Sequence, residues 1–121
     1  MFSVKNEVIE AFLEASKNTF PHEFIGLLAG NKKNMAVEEL VVVPAVFGET
    51  FSQIYLHLLP LSEPIIGTCH SHPSFSNRPS GEDVRTFQKT GPLHLIACRP
   101  FSTASIRAFD QTGREVKIKT V

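Results

Sequence analysis

Apolar and polar residues follow one another along the chain in blocks that predict two helices and seven strands. Helical spacing of apolar residues places the helices at 4–18 and 80–90. Shorter apolar runs, bounded by Pro, Gly and Asn, place strands at 24–29, 35–43, 53–59, 65–71, 93–98, 105–109 and 115–120. The segments 45–52 and 73–79 are predicted to be loops. This order predicts one mixed, sheet-rich domain over residues 1–121.

Both predicted helices have recognisable ends. Ser3 is the expected N-cap of the first helix, and Phe20-Pro21 is expected to end it because the residue before a proline disfavours helical backbone. Gly91-Pro92 is expected to end the second helix. The apolar stripe expected to face the core from the first helix comprises Val4, Val8, Ala11, Phe12 and Ala15.

Composition and charge narrow the function classes. The 121 residues carry 12 Lys and Arg against 12 Asp and Glu, so the chain lacks the net positive charge that attracts nucleic acid or anionic membranes. No apolar run approaches the roughly 20 residues of a membrane span, and the N-terminus shows no secretory leader pattern. We therefore expect a cytoplasmic protein without nucleic-acid or membrane partners. Its two cysteines, Cys69 and Cys98, lie in predicted strands that can be neighbours, so a disulfide is geometrically possible, but buried free thiols are favoured.

The segment His70-Ser71-His72-Pro73 ends a predicted strand and is typical of a metal site. Residues i and i+2 of a strand point to the same face, so both imidazoles can reach one metal ion. Asp83, in the first turn of the second predicted helix, can supply an oxygen ligand. Two histidines and one carboxylate leave a fourth position open, as in catalytic rather than structural zinc sites.

Each part of this pattern also has an ordinary structural interpretation. The histidine pair can be a polar strand face, and Ser80 with Asp83 can be a helix-capping arrangement. Capping and metal binding can also coexist, because the first turn of a helix suits both. The joint pattern H-x-H-P-x6-S-x2-D arises by chance on the order of 1 in 10⁴, which favours the metal site.

Glu23 is the candidate general base. It comes directly before the apolar segment that begins at Phe24. A carboxylate at the edge of a core is costly unless it has a proton-transfer or metal-linked task. The alternative is an exposed loop glutamate, and position alone does not separate the two.

Together these residues resemble the motif of the JAMM (MPN-plus) metalloprotease family, which is a Glu, then H-[ST]-H-P, then S-x-x-D. Glu23, His70-Ser71-His72-Pro73, Ser80 and Asp83 match the motif without departure. The resemblance covers essentially the whole chain. It implies an α/β (α+β) fold like that of cytidine deaminases, in which a mixed, mostly antiparallel sheet is flanked by two main helices.

The resemblance also implies a function. The family cleaves the isopeptide bond after the C-terminal diglycine of ubiquitin or ubiquitin-like modifiers conjugated to lysine, and holds one Zn²⁺ per chain. Carried over to this chain, His70, His72 and Asp83 bind zinc. Glu23 acts as general base and then acid, and Ser80 stabilises the developing oxyanion.

Two alternatives stay open. A peptidase that trims the C-terminus of a sulfur-carrier protein would use the same residues. A metal-free scaffold domain of the same superfamily is a different class of function, although such members typically lack at least one ligand. The diglycine tail is expected to add to a strand edge near 50–58 or the loop after Cys98, and 45–53 is the candidate for a loop that gates the groove.

Overall fold

The computed structural model describes residues 1–42 and 64–121. Its helices are α1 (Asn6–Thr19) and α2 (Gly81–Thr90). Its strands are β1 (Phe2–Val4), β2 (Ile25–Asn31), β3 (Ala36–Val42), β4 (Ile65–Ser71), β5 (Leu93–Ala97), β6 (Ile106–Phe109), β7 (Glu115–Val116) and β8 (Ile118–Thr120). The predicted loop 45–52, the predicted strand 53–59 and the expected groove and gate at 45–58 lie outside the described residues.

The eight described strands form one mixed sheet in the order β7-β6-β5-β4-β2-β3-β1-β8. Four of its seven pairings are antiparallel, and three are parallel. The sheet curls strongly, because β7 and β8 lie at opposite edges although only Lys117 separates them in the chain. The predicted α/β fold class is confirmed.

The two helices cover different faces of the sheet. α1 packs its apolar face into the main core, which includes Leu93, Leu95 and Ala97 of β5. Phe87 of α2 packs instead with Ile96, a β5 residue whose side chain lies on the face of the sheet opposite to α1. Within the described ranges, neither helix has the length and apolarity needed to cross a membrane.

The unit β4–α2–β5 positions the candidate site. β4 and β5 pair in parallel, with Gly67 opposite Leu93 and Ser71 opposite Ala97, and α2 connects them. Parallel strands joined by a helix bring the end of the first strand close to the start of that helix. The histidines at the end of β4 and the first turn of α2 therefore face one another.

The start of the chain differs from the prediction. Phe2–Val4 form a strand rather than a cap and first helical turn, because they pair in parallel with both β3 and β8. The N-cap of α1 is Lys5, without a side-chain hydrogen bond, so the assignment of Ser3 as N-cap was wrong. The buried stripe of α1 is also rotated from the prediction, since Ala11 is exposed. Its buried members are Val8, Ile9, Phe12, Leu13 and Ser16.

Candidate metal centre

Three side chains converge where β4 ends and α2 begins. His70 Nε2 lies 3.1 Å from His72 Nε2 and 3.4 Å from Asp83 Oδ1, and His72 Nε2 lies 3.3 Å from Asp83 Oδ2. A tetrahedral ion with metal–ligand bonds of about 2.0–2.1 Å separates its ligands by roughly 3.3 Å. Each histidine nitrogen thus lies about one ligand–ligand spacing from the other nitrogen and from the nearer oxygen of the Asp83 carboxylate, and with one atom taken from each residue all three lie within 4.8 Å of one another. We call these three side chains the metal triangle.

The donor set fits zinc. Two imidazole nitrogens and one carboxylate oxygen are ligands that zinc takes in catalytic sites, where the fourth position is left to water or substrate. Among the described residues, these three form a group of His, Cys, Asp and Glu side chains able to hold an ion. His70 is buried, whereas His72 and Asp83 are partly exposed, so the fourth corner can be reached from solvent.

Asp83 is held in place by the cap of its own helix. The Ser80 backbone N–H donates to Asp83 Oδ2 at 2.9 Å, and the Asp83 backbone N–H donates to Ser80 Oγ at 3.1 Å. This capping box and the metal-ligand geometry occur together, and the capping box fixes the carboxylate next to the histidines. Because Ser80 Oγ accepts in the box, its hydroxyl hydrogen remains able to donate elsewhere.

The two imidazoles are oriented differently. His72 Nδ1 lies 3.0 Å from the Ser76 carbonyl oxygen. Since a carbonyl only accepts, we assign the hydrogen to Nδ1, which leaves a lone pair on Nε2 facing the triangle. His70 Nδ1 is buried and has no hydrogen-bond partner among the described residues. Packing holds the His70 ring instead, with the Phe87 ring 6.4 Å away.

The charges of the triangle reinforce one another. In the metal-free protein, burial acts to raise the pKa of Asp83, but hydrogen bonds that the protonated forms of His70 and His72 donate through Nε2 outweigh burial and hold this pKa far below its ordinary value. The hydrogen bond with Asp83 in turn raises the pKa of His72. Asp83 is therefore a carboxylate at neutral pH, the form that binds a metal ion.

Glu23 is exposed and precedes the end of β2 that pairs with the histidine strand, where Ile25 lies opposite His70. It precedes β2 by two residues and does not lie at the edge of the core. Its exposure is therefore that of the alternative, an exposed loop glutamate. Its charge nevertheless contributes to raising the pKa of His72, which places its carboxylate within electrostatic reach of the triangle. Exposure and proximity to the cluster thus coexist at Glu23.

Ser71 connects Glu23 to the histidine strand. The Phe24 backbone N–H donates to Ser71 Oγ at 2.8 Å, and the Ser71 backbone N–H donates to the Phe24 carbonyl at 2.9 Å. Ser71 is buried and its side chain points to the face opposite His70 and His72. This double contact fixes the backbone next to Glu23 at the end of the sheet that carries the metal ligands.

The sequence did not indicate the role of Ser76. Its main-chain carbonyl orients His72, and a carbonyl contact leaves no trace in the identity of a residue. Three further reactive side chains lie in the core, and for the two cysteines the favoured prediction is confirmed. Cys69 and Cys98 are buried free thiols, and burial strongly raises the pKa of Cys69. His94 is a buried, hydrogen-bonded core residue.

Comparison with known proteins agrees with this geometry. Residues 5–112 match the family described as prokaryotic homologs of the JAB domain. A protein of Haloferax volcanii named a probable metalloprotease is 31% identical over an alignment of 116 positions, and the match covers 88% of this chain and 71% of that protein.

Solved structures show the same fold over the whole chain. A JAB1/MPN domain protein from Archaeoglobus fulgidus superposes with a TM-score of 0.81 and 35% identity, covering 99% of each chain. A structure described as a JAMM metalloprotease-like zinc site in the proteasome and signalosome has a TM-score of 0.79 and 32% identity, covering 100% of this chain and 98% of that one. The chain belongs to the prokaryotic JAB-domain family of JAMM-type metalloproteases.

Proposed function

We propose that this protein is a zinc-dependent isopeptidase that hydrolyses the bond after the C-terminal diglycine of a ubiquitin-like modifier conjugated to lysine. The observation that carries the proposal is the convergence of His70 Nε2, His72 Nε2 and the Asp83 carboxylate. The two nitrogens are 3.1 Å apart, and each lies 3.3 or 3.4 Å from the nearer carboxylate oxygen. Three protein ligands leave one position for chemistry.

His70, His72 and Asp83 would hold the ion, with Asp83 fixed by the helix cap and His72 by the Ser76 carbonyl. When bound, zinc supplies a Lewis acid that lowers the pKa of water to about 7 and polarises the scissile carbonyl. A structural relative described as a zinc site in the proteasome and signalosome supports the choice of metal.

Glu23 and Ser80 handle protons and charge in this proposal. Glu23 is exposed yet close enough to influence His72, so its carboxylate can accept a proton from the attacking water and return it to the departing lysine amine. Ser80 can donate its hydroxyl hydrogen to the carbonyl oxygen as negative charge develops there. These assignments rest on position and on the match to the family motif.

The resemblance to the family motif supports the proposed substrate class. A diglycine tail has no side chains and therefore fits a narrow groove beside a metal ion, where bulkier sequences would be excluded. The buried free thiols are typical of a reducing compartment, which supports action in the cytoplasm.

Glu23→Gln tests the proposed chemistry. The substitution removes the proton acceptor while keeping the size of the side chain, so turnover of a lysine adduct should fall roughly 10²- to 10⁴-fold. The substrate is a diglycine-ended β-grasp protein joined through an isopeptide bond, and a peptide-extended version of the same protein tests the sulfur-carrier alternative. Zinc per chain is measured by native mass spectrometry. Glu14→Gln, on the exposed face of α1, is the matched control and should cleave like the wild type.

Each failure has a distinct meaning. A Glu23→Gln variant as active as the wild type would remove Glu23 from the mechanism. Zinc-loaded wild type that cleaves only the peptide-extended protein would favour carrier processing. Folded wild type that takes up no zinc would favour a scaffold domain.

A further inference from the structure

A second feature of the surface lies next to the metal centre. A shallow cavity of about 400 Å³ opens beside the loop that follows His72. We call it the aromatic–basic pocket, and its described lining residues are Lys17, Phe20, Phe75, Arg99, Pro100 and Phe101. Its volume is within the range of pockets that bind ligands or partner side chains.

The centre of this pocket is an arginine held between two phenylalanines. The Arg99 guanidinium carbon lies 4.8 Å from the centre of the Phe20 ring and 4.7 Å from that of Phe75. Phe101 supports the Phe20 ring edge-on, with ring centres 6.0 Å apart. Such cation–π contacts order Arg99 while leaving the edges of its guanidinium group able to donate hydrogen bonds.

These side chains are unusually exposed for their type. Phe75 is 73% and Phe20 40% exposed, although burial of a phenylalanine side chain stabilises the folded state. Aromatic residues and arginine are enriched among the residues at the centres of protein interfaces, where most of the binding energy arises. The pocket therefore has the chemistry of an interface centre.

The pocket shares its backbone with the metal centre. Phe20 precedes Glu23 by three residues, and Phe75 precedes Ser76, whose carbonyl orients His72. The Arg99 backbone N–H donates to the Ser74 carbonyl at 2.9 Å, which joins Arg99 to the loop carrying Phe75. A protein engaged at the metal centre would therefore lie close to this pocket.

Charge indicates the occupant. The described lining contains two cations, Lys17 and Arg99, and no carboxylate, on a chain whose formal net charge is zero. An apolar side chain flanked by carboxylates would satisfy both the rings and the cations. We propose that the aromatic–basic pocket docks the folded body of the protein substrate through an apolar, acidic segment. This inference rests on the proposed function, because it assumes a protein substrate at the metal centre.

Two substrates separate docking from chemistry. One is the folded β-grasp protein joined to lysine, and the other is a short peptide that ends in the same diglycine and carries a fluorogenic leaving group. In Lys17→Glu, the ratio of kcat/KM for the folded substrate to kcat/KM for the short one should fall about tenfold, mainly through KM. Phe20→Ser should lower this ratio at least as much.

Lys33→Glu is the matched charge control. Lys33 lies in the turn after β2, at the opposite end of the sheet from the metal ligands, and is exposed to solvent like Lys17. For the Lys33→Glu variant, the ratio of kcat/KM for the folded substrate to kcat/KM for the short one should equal that of the wild type. Binding of the folded modifier to the Glu23→Gln enzyme gives a readout that does not depend on turnover. Adding Lys17→Glu to this enzyme should weaken the binding about tenfold.

Several outcomes would overturn the proposal. An unchanged ratio and unchanged binding in Lys17→Glu and Phe20→Ser would exclude docking at this pocket. Equal losses on both substrates would mean that the pocket only supports the shape of the metal centre. A concentration-dependent dimer of the wild type that Lys17→Glu abolishes would assign the pocket to a second copy of this chain. If the wild type cleaves neither substrate, the proposed function is wrong, and absence of modifier binding would then remove docking as well.

Discussion

A single histidine, His94, and the pair His70 and His72 lie on the same face of the sheet under α2, and their surroundings are opposite. His94 uses both ring nitrogens within the protein: Nε2 donates to the Gly91 carbonyl at 2.7 Å, and Nδ1 accepts from Thr68 Oγ1 at 2.7 Å. His70 and His72 direct their Nε2 atoms toward each other and toward Asp83. A histidine whose two nitrogens are both used by the protein has no lone pair for a metal ion.

The same helix builds both environments. Asp83 in the first turn of α2 completes the metal triangle, and Phe87 one turn later stacks on His94 at 4.2 Å with an interplanar angle of 10°. Gly91, which follows α2, closes the second environment. Its φ of 113° and its approach to the Ile66 carbonyl, which an added Cβ would meet at 2.1 Å, allow glycine alone. The short helix α2 thus contributes to two different environments, one around the pair His70 and His72 and one around the structural histidine His94.

The largest expected contrast comes from truncating one histidine in each environment, His72 at the metal centre and His94 in the core. His72→Ala should lose the zinc ion, because it removes one of three ligands, while the zinc-free fold keeps its stability. His94→Ala should keep one zinc per folded chain but lower the free energy of unfolding by about 2–4 kcal/mol, because it opens a cavity beside Phe87 and leaves two polar groups unpaired. Native mass spectrometry and urea unfolding of the zinc-free proteins measure the two effects.

Thr68→Val is the milder control for the His94 environment. It removes one hydrogen bond at nearly constant volume and should cost about 1–2 kcal/mol without loss of zinc. Folded His94→Ala protein without zinc would contradict the separation of the two environments, as would an equal loss of stability in His72→Ala.

The two environments should also respond oppositely to acid. Burial lowers the pKa of His94 from 6.5 to about 4, whereas Asp83 raises the pKa of His72. The unfolded chain binds a proton at His94 near pH 6.5 and the folded chain only near pH 4. The contribution of His94 to the free energy of unfolding is therefore fully present above pH 6.5 and is lost as the pH falls toward 4. The loss between pH 7.5 and pH 5 should be about 2 kcal/mol.

Ring-proton NMR of the zinc-free protein measures each histidine separately. The His94 signal should titrate near pH 4, and the His72 signal above its ordinary pKa. A His94 that titrates near pH 6.5 would show that its hydrogen-bonded environment opens in solution.

The sequence predicted the metal centre better than the elements around it. His70, His72, Ser80 and Asp83 lie within 14 residues on one strand and the following helix, so spacing alone indicates that they meet. β1 escaped prediction because its three residues are extended only through pairing with β3 and β8. The predicted strand 115–120 is divided at Lys117 because its two parts join opposite edges of the curled sheet.

Contacts that depend on the main chain or on distant segments could not be predicted. The Ser76 carbonyl orients His72 whatever the identity of residue 76. The rings around Arg99 come from α1's end and from the loop after His72, which are more than 50 residues apart in the chain. Only the folded structure brings such groups together.

The smallest expected effect concerns Ser71, the buried hydroxyl on the other side of the histidine strand. Ser71→Ala should lower kcat roughly tenfold and cost about 1–2 kcal/mol of stability, because the Phe24 N–H loses its acceptor and the backbone next to Glu23 keeps only one of its two contacts with Ser71. Zinc content should not change, and Ser71→Thr, which keeps the hydroxyl, should restore kcat. Ser16→Ala removes another buried hydroxyl, bonded to the Phe12 carbonyl in α1, and should lower stability alone. Equal effects of Ser16→Ala and Ser71→Ala on kcat would mean that Ser71 stabilises the fold without positioning Glu23.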